Sequence, residues 1–279
     1  MQFEKITIIG LGLIGGSLAW ALKKSGGVGQ IIGVDNNRLS IEVALQKGII
    51  DKACSSTDDD SVYDCDIVVI ATYISTITKV ALSLKVSDST IVTDTGSVKG
   101  SIVKEIESNC DFSFVGSHPI AGTEKSGVQN LKQGLFDNKL TIITPSENTS
   151  AAALEKVTSL WGLANSRVIQ MKPSEHDEIF AHVSHLPHVV AFSLVNSLLQ
   201  KDKSLFDYGG GGLKDFSRIA ESSPEMWVDI FMSNRDQVIE AIEGFKDSLS
   251  SIEQMIADND KKSLKKILQG ASDIKKTTN

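Results

Sequence analysis

Cysteine, proline and aromatic side chains are scarce. The three cysteines among 279 residues, Cys54, Cys65 and Cys110, are isolated and share no metal-ligand spacing. That argues against a disulfide framework and for reduced thiols. Basic residues are also in deficit, 28 against 35 acidic ones for a net charge of −7, so neither a phosphate backbone nor an anionic membrane is indicated as a partner. No basic segment leads into an apolar one at the N-terminus, and no apolar run approaches the roughly 18 residues that cross a bilayer. The expectation is a cytoplasmic protein. With only five prolines, each one marks a break in the pattern around it.

The first half alternates short β-type runs with helix-length amphipathic ones. "KITIIG" reads as a strand, and "LIGGSLAWALKKSG" as a helix stopped at Gly26. "QIIGVD" is a second strand, followed by "RLSIEVALQKG", a helix ending at Gly48. "DIVVIAT" is uninterrupted and apolar, the texture of a strand buried on both faces. "STITKVALSLK" continues as helix, and "TIVTDTGS", "FSFVGSH", "LTIITP" and "SRVIQM" supply further strands. The fold class implied is α/β: an N-terminal Rossmann-type doubly wound parallel sheet. From Pro173 onward no convincing strand follows, so an all-α helical dimerisation domain is expected over 173–279, after a dinucleotide-binding domain over 1–172. "SEHDEIFAHVSHLPHVVAFSLVNSLLQ" is predicted as one long helix kinked by Pro187. A second is predicted from Pro224, after Ser223 as N-cap, to Ala257. At 1.5 Å per residue it would be about 50 Å long, with Val238, Ile242, Phe245, Leu249, Ile252 and Ile256 forming a seam. That length implies a homodimer through these helices.

"GLGLIGGS" places Gly10, Gly12 and Gly15 in G-x-G-x-x-G between a strand and a helix, with Asp35 closing the next strand. This is the dinucleotide fingerprint. Gly10 permits the tight turn, Gly12 the approach of a diphosphate, and Gly15 the close packing of helix on strand. Leu13 and Ile14 at the helix start, and Thr72 at the end of the third apolar strand, complete the expected cofactor site. The Asp35 carboxylate suits ribose hydroxyls and repels a 2′-phosphate, so NAD is expected over NADP; Arg38 is positioned to soften that repulsion.

His118, one of five histidines, follows the strand "FSFV" and precedes Pro119. Ligands of open parallel sheets bind at the carboxyl ends of strands, so His118 is expected at the nicotinamide end of the cleft, as a base for a hydroxyl proton. The other four, His176, His182, His185 and His188, share one segment. Pro187 disrupts their spacing, so an anion-binding or acid–base role suits them better than a metal. Asp177 and Glu178 are read as helix-start acids favoured by the dipole. Lys214, Asp215 and Arg218 follow a glycine run, and arginine suits bidentate carboxylate recognition.

Together "GLGLIGGSLA", "TDTGSVKG", "GSHPIAGTEKSG", "SHLPH" and "LKDFSRIA" occur in an order that resembles the prephenate dehydrogenase family, arogenate dehydrogenases included. The resemblance covers nearly the whole chain. It implies oxidative decarboxylation of prephenate to 4-hydroxyphenylpyruvate with NAD, in tyrosine biosynthesis. It further implies His118 as the base at the ring hydroxyl, Ser97 as its assistant, and Arg218 on a substrate carboxylate. His176, His188, Glu124 and Trp227 are then pocket residues. His188 in "SHLPH" resembles prephenate-using members, with arogenate as the alternative substrate. Two rival readings are a β-hydroxyacid dehydrogenase, for which Lys172 lacks the accompanying Asn, and a non-catalytic NAD sensor, which would not need His118, Ser97 and Arg218 together.

Overall fold

The structure is a computed structural model that describes residues 2–122 and 127–278. The chain forms two compact units, Met1–Asn234 and Arg235–Asn279.

The first unit starts as the alternation dictates. Strand β1 (Phe3–Ile9) is followed by α1 (Leu13–Ser25), β2 (Val28–Val34), α2 (Arg38–Gln46) and a short β3 (Lys52–Cys54). Next come β4 (Ile67–Ile70), α3 (Ile74–Ser83), β5 (Ile91–Asp94), α4 (Gly100–Asn109) and β6 (Ser113–Pro119). Strand β7 (Leu140–Thr144), α5 (Ala151–Leu163) and β8 (Arg167–Gln170) complete the sheet. The strand order is β3-β2-β1-β4-β5-β6-β7-β8. All pairs are parallel except β6 with β7, so the sheet is mostly rather than wholly parallel. The order reverses between β1 and β4, and their carboxyl ends open the crevice where such sheets hold ligands.

Burial follows the period of two along a strand. In β4, Ile67 and Val69 join one apolar core, while Val68 and Ile70 join the core on the opposite face. Helix α1 stops at Gly26, which takes φ +68°, and Gly48 closes α2 with φ +63°. Strand β3 and helix α4 were not foreseen from the sequence.

After the sheet come α6 (Pro173–Phe180), a π-helical turn (Ala181–His185) and α7 (Leu186–Lys201). The predicted kink at Pro187 takes this form. Proline has no N–H to donate and crowds the carbonyl four residues back, so the preceding turn widens. The widened turn puts the segment's histidines in different environments: His182 is exposed, His185 buried and His188 half-buried. By length and composition Pro173–Lys201 is the one helical run among the described residues apolar enough to cross a membrane, which corrects the expectation that no stretch approaches this. Its buried polar residues are nevertheless consumed inside the unit, Asp177 by backbone of α4 and His185 by Asn234. A lipid-spanning helix would not bury them so.

Helices α8 (Gly211–Ser217) and α9 (Pro224–Ser233) end the unit. Ser223 caps α9 by accepting from Met226 N at 3.3 Å, with Pro224 in the first turn. The single helix expected from Pro224 to Ala257 is two: α9 breaks at Asn234, whose φ is −119° and ψ 35°. Asn234 is held there because its amide donates to Asp177 O at 2.8 Å. The 50 Å length argument for a dimer therefore falls.

The second unit consists of α10 (Arg235–Ala257) and α11 (Lys261–Thr277), packed on each other. The turn between them uses Asn259 at φ +54°, and Asp260 caps α11 by accepting from Ser263 N at 3.0 Å. Phe245, Leu249 and Ile256 on α10, and Ile267, Leu268 and Ile274 on α11, remain exposed.

Gly10 tests how tightly the first turn is specified. Its φ is +96°, and a Cβ there would lie 2.5 Å from the Ala71 carbonyl oxygen. Gly10→Ala is expected to lower stability by about 2 kcal/mol or more, read as a lower urea midpoint. An unchanged midpoint would show that the turn relaxes freely.

Candidate active site

The dinucleotide crevice is built by α1 and the ends of β1, β2 and β4. A Cβ on Gly15 would sit 1.9 Å from Gly10 O and 2.9 Å from the Ala71 side chain, so only glycine lets the helix pack this closely. Gly12 faces open space, with nothing within 4 Å of an added Cβ. It is the N-cap of α1 and supplies no side-chain cap, so the first N–H groups of the helix, those of Leu13 and Ile14 among them, have no partner within the helix. That is an anion site with room beside it. Asp35 accepts from Leu11 N at 2.7 Å and Asn37 N at 2.8 Å, which fixes its carboxylate at the crevice edge. Arg38 pairs with Glu42 at 2.7 Å rather than with Asp35. The buried hydroxyl of Thr72 has no hydrogen-bond partner among the described residues. It lies next to Gly10, where Thr72 Cγ2 is 3.2 Å from the position of an added Cβ. Glycine geometry, free N–H groups and a carboxylate without a basic neighbour of its own fit NAD.

His118 ends β6, buried. Its Nδ1 is 2.8 Å from His176 Nε2, and His176 Nδ1 is 2.8 Å from Asp177 Oδ1. Phe180 stacks on His176 with ring centroids 4.5 Å apart and packs on His118 at 4.8 Å. Asp177 lies mid-helix in α6 and is not a helix-start acid; the first-turn acid of α6 is Glu175. The dipole it serves belongs to another helix. The N-cap of α4 is Lys99, which provides no side-chain cap. The Asp177 carboxylate takes that place, accepting from Lys99 N at 2.8 Å and Gly100 N at 2.7 Å. Gly100 admits it, since a Cβ there would lie 2.9 Å from Asp177 Oδ2.

Behind His118 lies a fully buried ion pair, Lys99 with Asp94. Lys99 Nζ also donates to Ser117 O at 3.0 Å, and Asp94 Oδ1 accepts from Ser117 N at 3.0 Å. Trp161 Nε1 donates to Ser117 Oγ at 3.0 Å. Both backbone groups of the residue before His118 are thus clamped. Removing one member of such a pair leaves a buried charge, at a cost of about 3–5 kcal/mol.

Ser97 follows β5 in the loop that starts with Asp94. It is half-buried and makes no hydrogen bond among the described residues. Its neighbour Val98 packs on Trp227 and Ile230. Trp227 is buried, stacks on His188 with centroids 3.6 Å apart, and donates to Ser222 Oγ at 2.8 Å. His188 Nδ1 donates to Ser184 O at 2.9 Å, which leaves its Nε2 as the free nitrogen. The structure therefore gathers His118 with His176, and His188 with Trp227, around the loop that carries Ser97. It does not join Arg218 to them. Arg218 is exposed on a 3-10 turn beside α7 and pairs with no carboxylate among the described residues. Glu124 lies outside the described residues.

Sequence reasoning missed Asp94, Lys99 and Asn234, and it read Asp177 only as a helix-start acid. The signals were present as a lysine within "DTGSVKG" and an acid directly after His176. His185 is buried; Asn234 donates to its Nδ1 at 3.2 Å, and its Nε2 has no partner among the described residues.

Burial holds the His118 imidazole well below the usual histidine range, aided by His176, Lys99 and His185 nearby. Burial also pushes His176 down, against the Asp177 carboxylate, which raises it. It pushes His185 down to about 4. A depressed folded-state value means that the unfolded chain binds more protons below about pH 6.5. The stability from burying these rings neutral is thus present above that pH and is lost as pH falls, for His185 down to about 4. The unfolding free energy is expected to drop between pH 7 and pH 5, by up to about 1.4 kcal/mol per pH unit for each histidine, read as a lower urea midpoint. A midpoint constant over that interval would contradict the depressed values.

The chain matches two family models, "Prephenate dehydrogenase, nucleotide-binding domain" over residues 18–170 and "Prephenate dehydrogenase, dimerization domain" over residues 172–270. It is 33% identical over 281 residues to the prephenate dehydrogenase of Bacillus subtilis, covering 98% of this chain and 75% of that one. Among solved structures it is similar to Aquifex aeolicus prephenate dehydrogenase in complex with hydroxyphenyl propionate and NAD+. That match has a TM-score of 0.95 and 39% identity, covering 100% of this chain and 99% of the other. Synechocystis arogenate dehydrogenase is similar at TM-score 0.83 and 26% identity, covering 99% of this chain and 100% of that one.

Proposed function

The chain belongs to the prephenate dehydrogenase family, and on that premise we propose that it converts prephenate to 4-hydroxyphenylpyruvate with NAD, in tyrosine biosynthesis. The single observation that carries the reaction to particular atoms is the buried His118 at the carboxyl end of β6, with Nδ1 committed to His176. Its Nε2 is left to meet a substrate.

Bound NAD+ supplies the hydride acceptor. Gly12, Leu13 and Ile14 hold the diphosphate by backbone N–H groups, Asp35 the adenosine ribose, and Thr72 with Gly10 and Gly15 shape the floor. His118 Nε2 takes the proton of the ring hydroxyl as hydride leaves the same carbon. The bond from the ring to its carboxylate then breaks, carbon dioxide departs, and that electron pair enters the ring to make it aromatic. His118 returns its proton to the phenolic oxygen, so no net proton is released. Because aromatisation drives the step, the protein's work is positioning and polarisation. Ser97, whose hydroxyl has no other partner among the described residues, donates or accepts at the same oxygen. Arg218 binds a substrate carboxylate, and its exposed guanidinium, which pairs with no carboxylate among the described residues, supports that role. His176, His188, Trp227 and Glu124 border the pocket, His188 and Trp227 as one stacked wall. Prephenate is favoured over arogenate because His188, in "SHLPH", resembles the prephenate-using members of the family.

We assign 1–172 to dinucleotide binding and 173–279 to the substrate and dimerisation helices, a division supported by the extents of the two family models. The protein acts as a homodimer on a small molecule. We infer that the dimer forms through the C-terminal helices, supported by the exposed apolar side chains of α10 and α11. We also infer a cytoplasmic setting without nucleic-acid or membrane partners, supported by the net charge of −7.

Steady-state NADH formation from prephenate tests the reading. His118→Asn is expected to cut turnover by about 10² to 10⁴ with little change in KM; normal turnover would remove His118 from the chemistry. Arg218→Gln is expected to raise KM about 10- to 100-fold, the worth of a charge-assisted hydrogen bond. An unchanged KM would place the carboxylate elsewhere.

A further inference from the structure

The chain of hydrogen bonds behind His118 has a direction. An ionised carboxylate only accepts. Asp177 Oδ1 already accepts from Lys99 N, and Oδ2 from Gly100 N, so the contact at 2.8 Å from His176 Nδ1 requires a proton on that nitrogen. A neutral His176 with its proton on Nδ1 has only a lone pair on Nε2. The 2.8 Å contact from His176 Nε2 to His118 Nδ1 then requires the proton on His118 Nδ1. The lone pair of His118 is consequently on Nε2.

We propose that Asp177 is a positioning residue for the reaction: seated on the N-terminus of α4, it sets the tautomer of His176 and through it that of His118, so that Nε2 of His118 is always the basic nitrogen. The inference rests on His118 being the base. It adds the reason why the correct nitrogen is basic before substrate arrives. Asn234 supports the same residue from the other side, donating to Asp177 O at 2.8 Å. Asp177 is thus held by backbone of α4 and by a side chain at the end of α9, and it does not need to touch substrate. When His118 accepts the hydroxyl proton, the Asp177 carboxylate, acting through His176, stabilises the positive charge that forms on the ring.

Asp177→Asn no longer enforces this direction, with little change in volume. If the amide oxygen stays toward Gly100 N, the NH2 group faces Lys99 N–H and donates to His176 Nδ1. His176 then carries its proton on Nε2 and donates to His118 Nδ1, which forces the His118 proton onto Nε2. If the amide is turned the other way, its NH2 opposes Gly100 N–H. The first arrangement blocks the base and loses the cap at Lys99 N; the second keeps the tautomer and loses the cap at Gly100 N. A change of tautomer alone costs other His–Asp enzymes about 10⁴ in kcat, and loss of a residue orienting a ligating histidine costs about 10- to 100-fold.

The test combines kinetics with nitrogen NMR of the 15N-histidine-labelled full-length protein, which reads the tautomer of each ring directly. In the wild type His118 and His176 are expected with protons on Nδ1. In Asp177→Asn kcat is expected to fall at least about 100-fold with KM for prephenate within about twofold, and the acid limb of kcat to move to lower pH. The sign follows from the charges facing the pair. His176, His185 and Lys99 disfavour the protonated form of His118, whereas Asp177, with Asp94 beside Lys99, favours that of His176; removing the Asp177 charge lowers the pair. A role in folding alone would move neither the tautomers nor that limb. A wild-type spectrum with the His118 proton on Nε2 would overturn the proposal, with no variant needed. So would a kcat within about threefold of wild type in Asp177→Asn while His118→Asn is inactive. Full turnover in His118→Asn would overturn both this inference and the reading of His118 beneath it.

Discussion

One carboxylate joins the parts that the chemistry needs. Asp177 comes from the first helix after the sheet, yet its oxygens close the N-terminus of α4, 77 and 78 residues earlier in the chain. The same side chain holds His176, and His176 holds His118. A helix end normally finds its cap within its own sequence. Here α4 begins with Lys99 and Gly100, which supply no cap, so the cap arrives from the helical segment and brings His176 to His118 with it. Helix–sheet docking and placement of the base are one event.

The second fixed point is the Asp94–Lys99 pair. A buried ion pair is weak evidence for stability, because its desolvation offsets most of the attraction. Its value here is geometric. It takes up the N–H and C=O of Ser117, so the backbone just before His118 has no freedom to shift. The positive charge also stands near an imidazole that must be neutral to act as a base, and it helps to keep it so. The same buried group thus fixes the position of His118 and adds to the burial that keeps it neutral.

Local rules carried much of this into the sequence. The glycine loop, the strand–helix alternation, the stops at Gly26 and Gly48, and the Ser223–Pro224 start of α9 depend on neighbours within a few residues, and all were legible. So was the placement of His118 after a strand. What escaped depends on contacts distant in sequence. Helix α4 lacks a capping signal because its cap is remote. The break at Asn234 looks like continuous helix until the Asn234 amide finds the Asp177 carbonyl. Strand β7 reads the same whether parallel or antiparallel, since a buried strand shows no direction in its composition. Asp177 was read as a dipole effect, correct in kind and assigned to the wrong helix. The π turn at Ala181–His185 puts His182, His185 and His188 in different environments, which the sequence showed only as a spacing disrupted by Pro187.

The central claim is that His118 Nε2 meets the substrate hydroxyl beside the cofactor. The most direct measurement is a crystal structure of this protein with NAD+ and a hydroxyphenyl product analogue bound together. The account predicts His118 Nε2 within about 3.2 Å of the phenolic oxygen, the reach of a general base, with Nδ1 still on His176. A phenolic oxygen held instead by another side chain, with His118 turned away from it, would contradict the account.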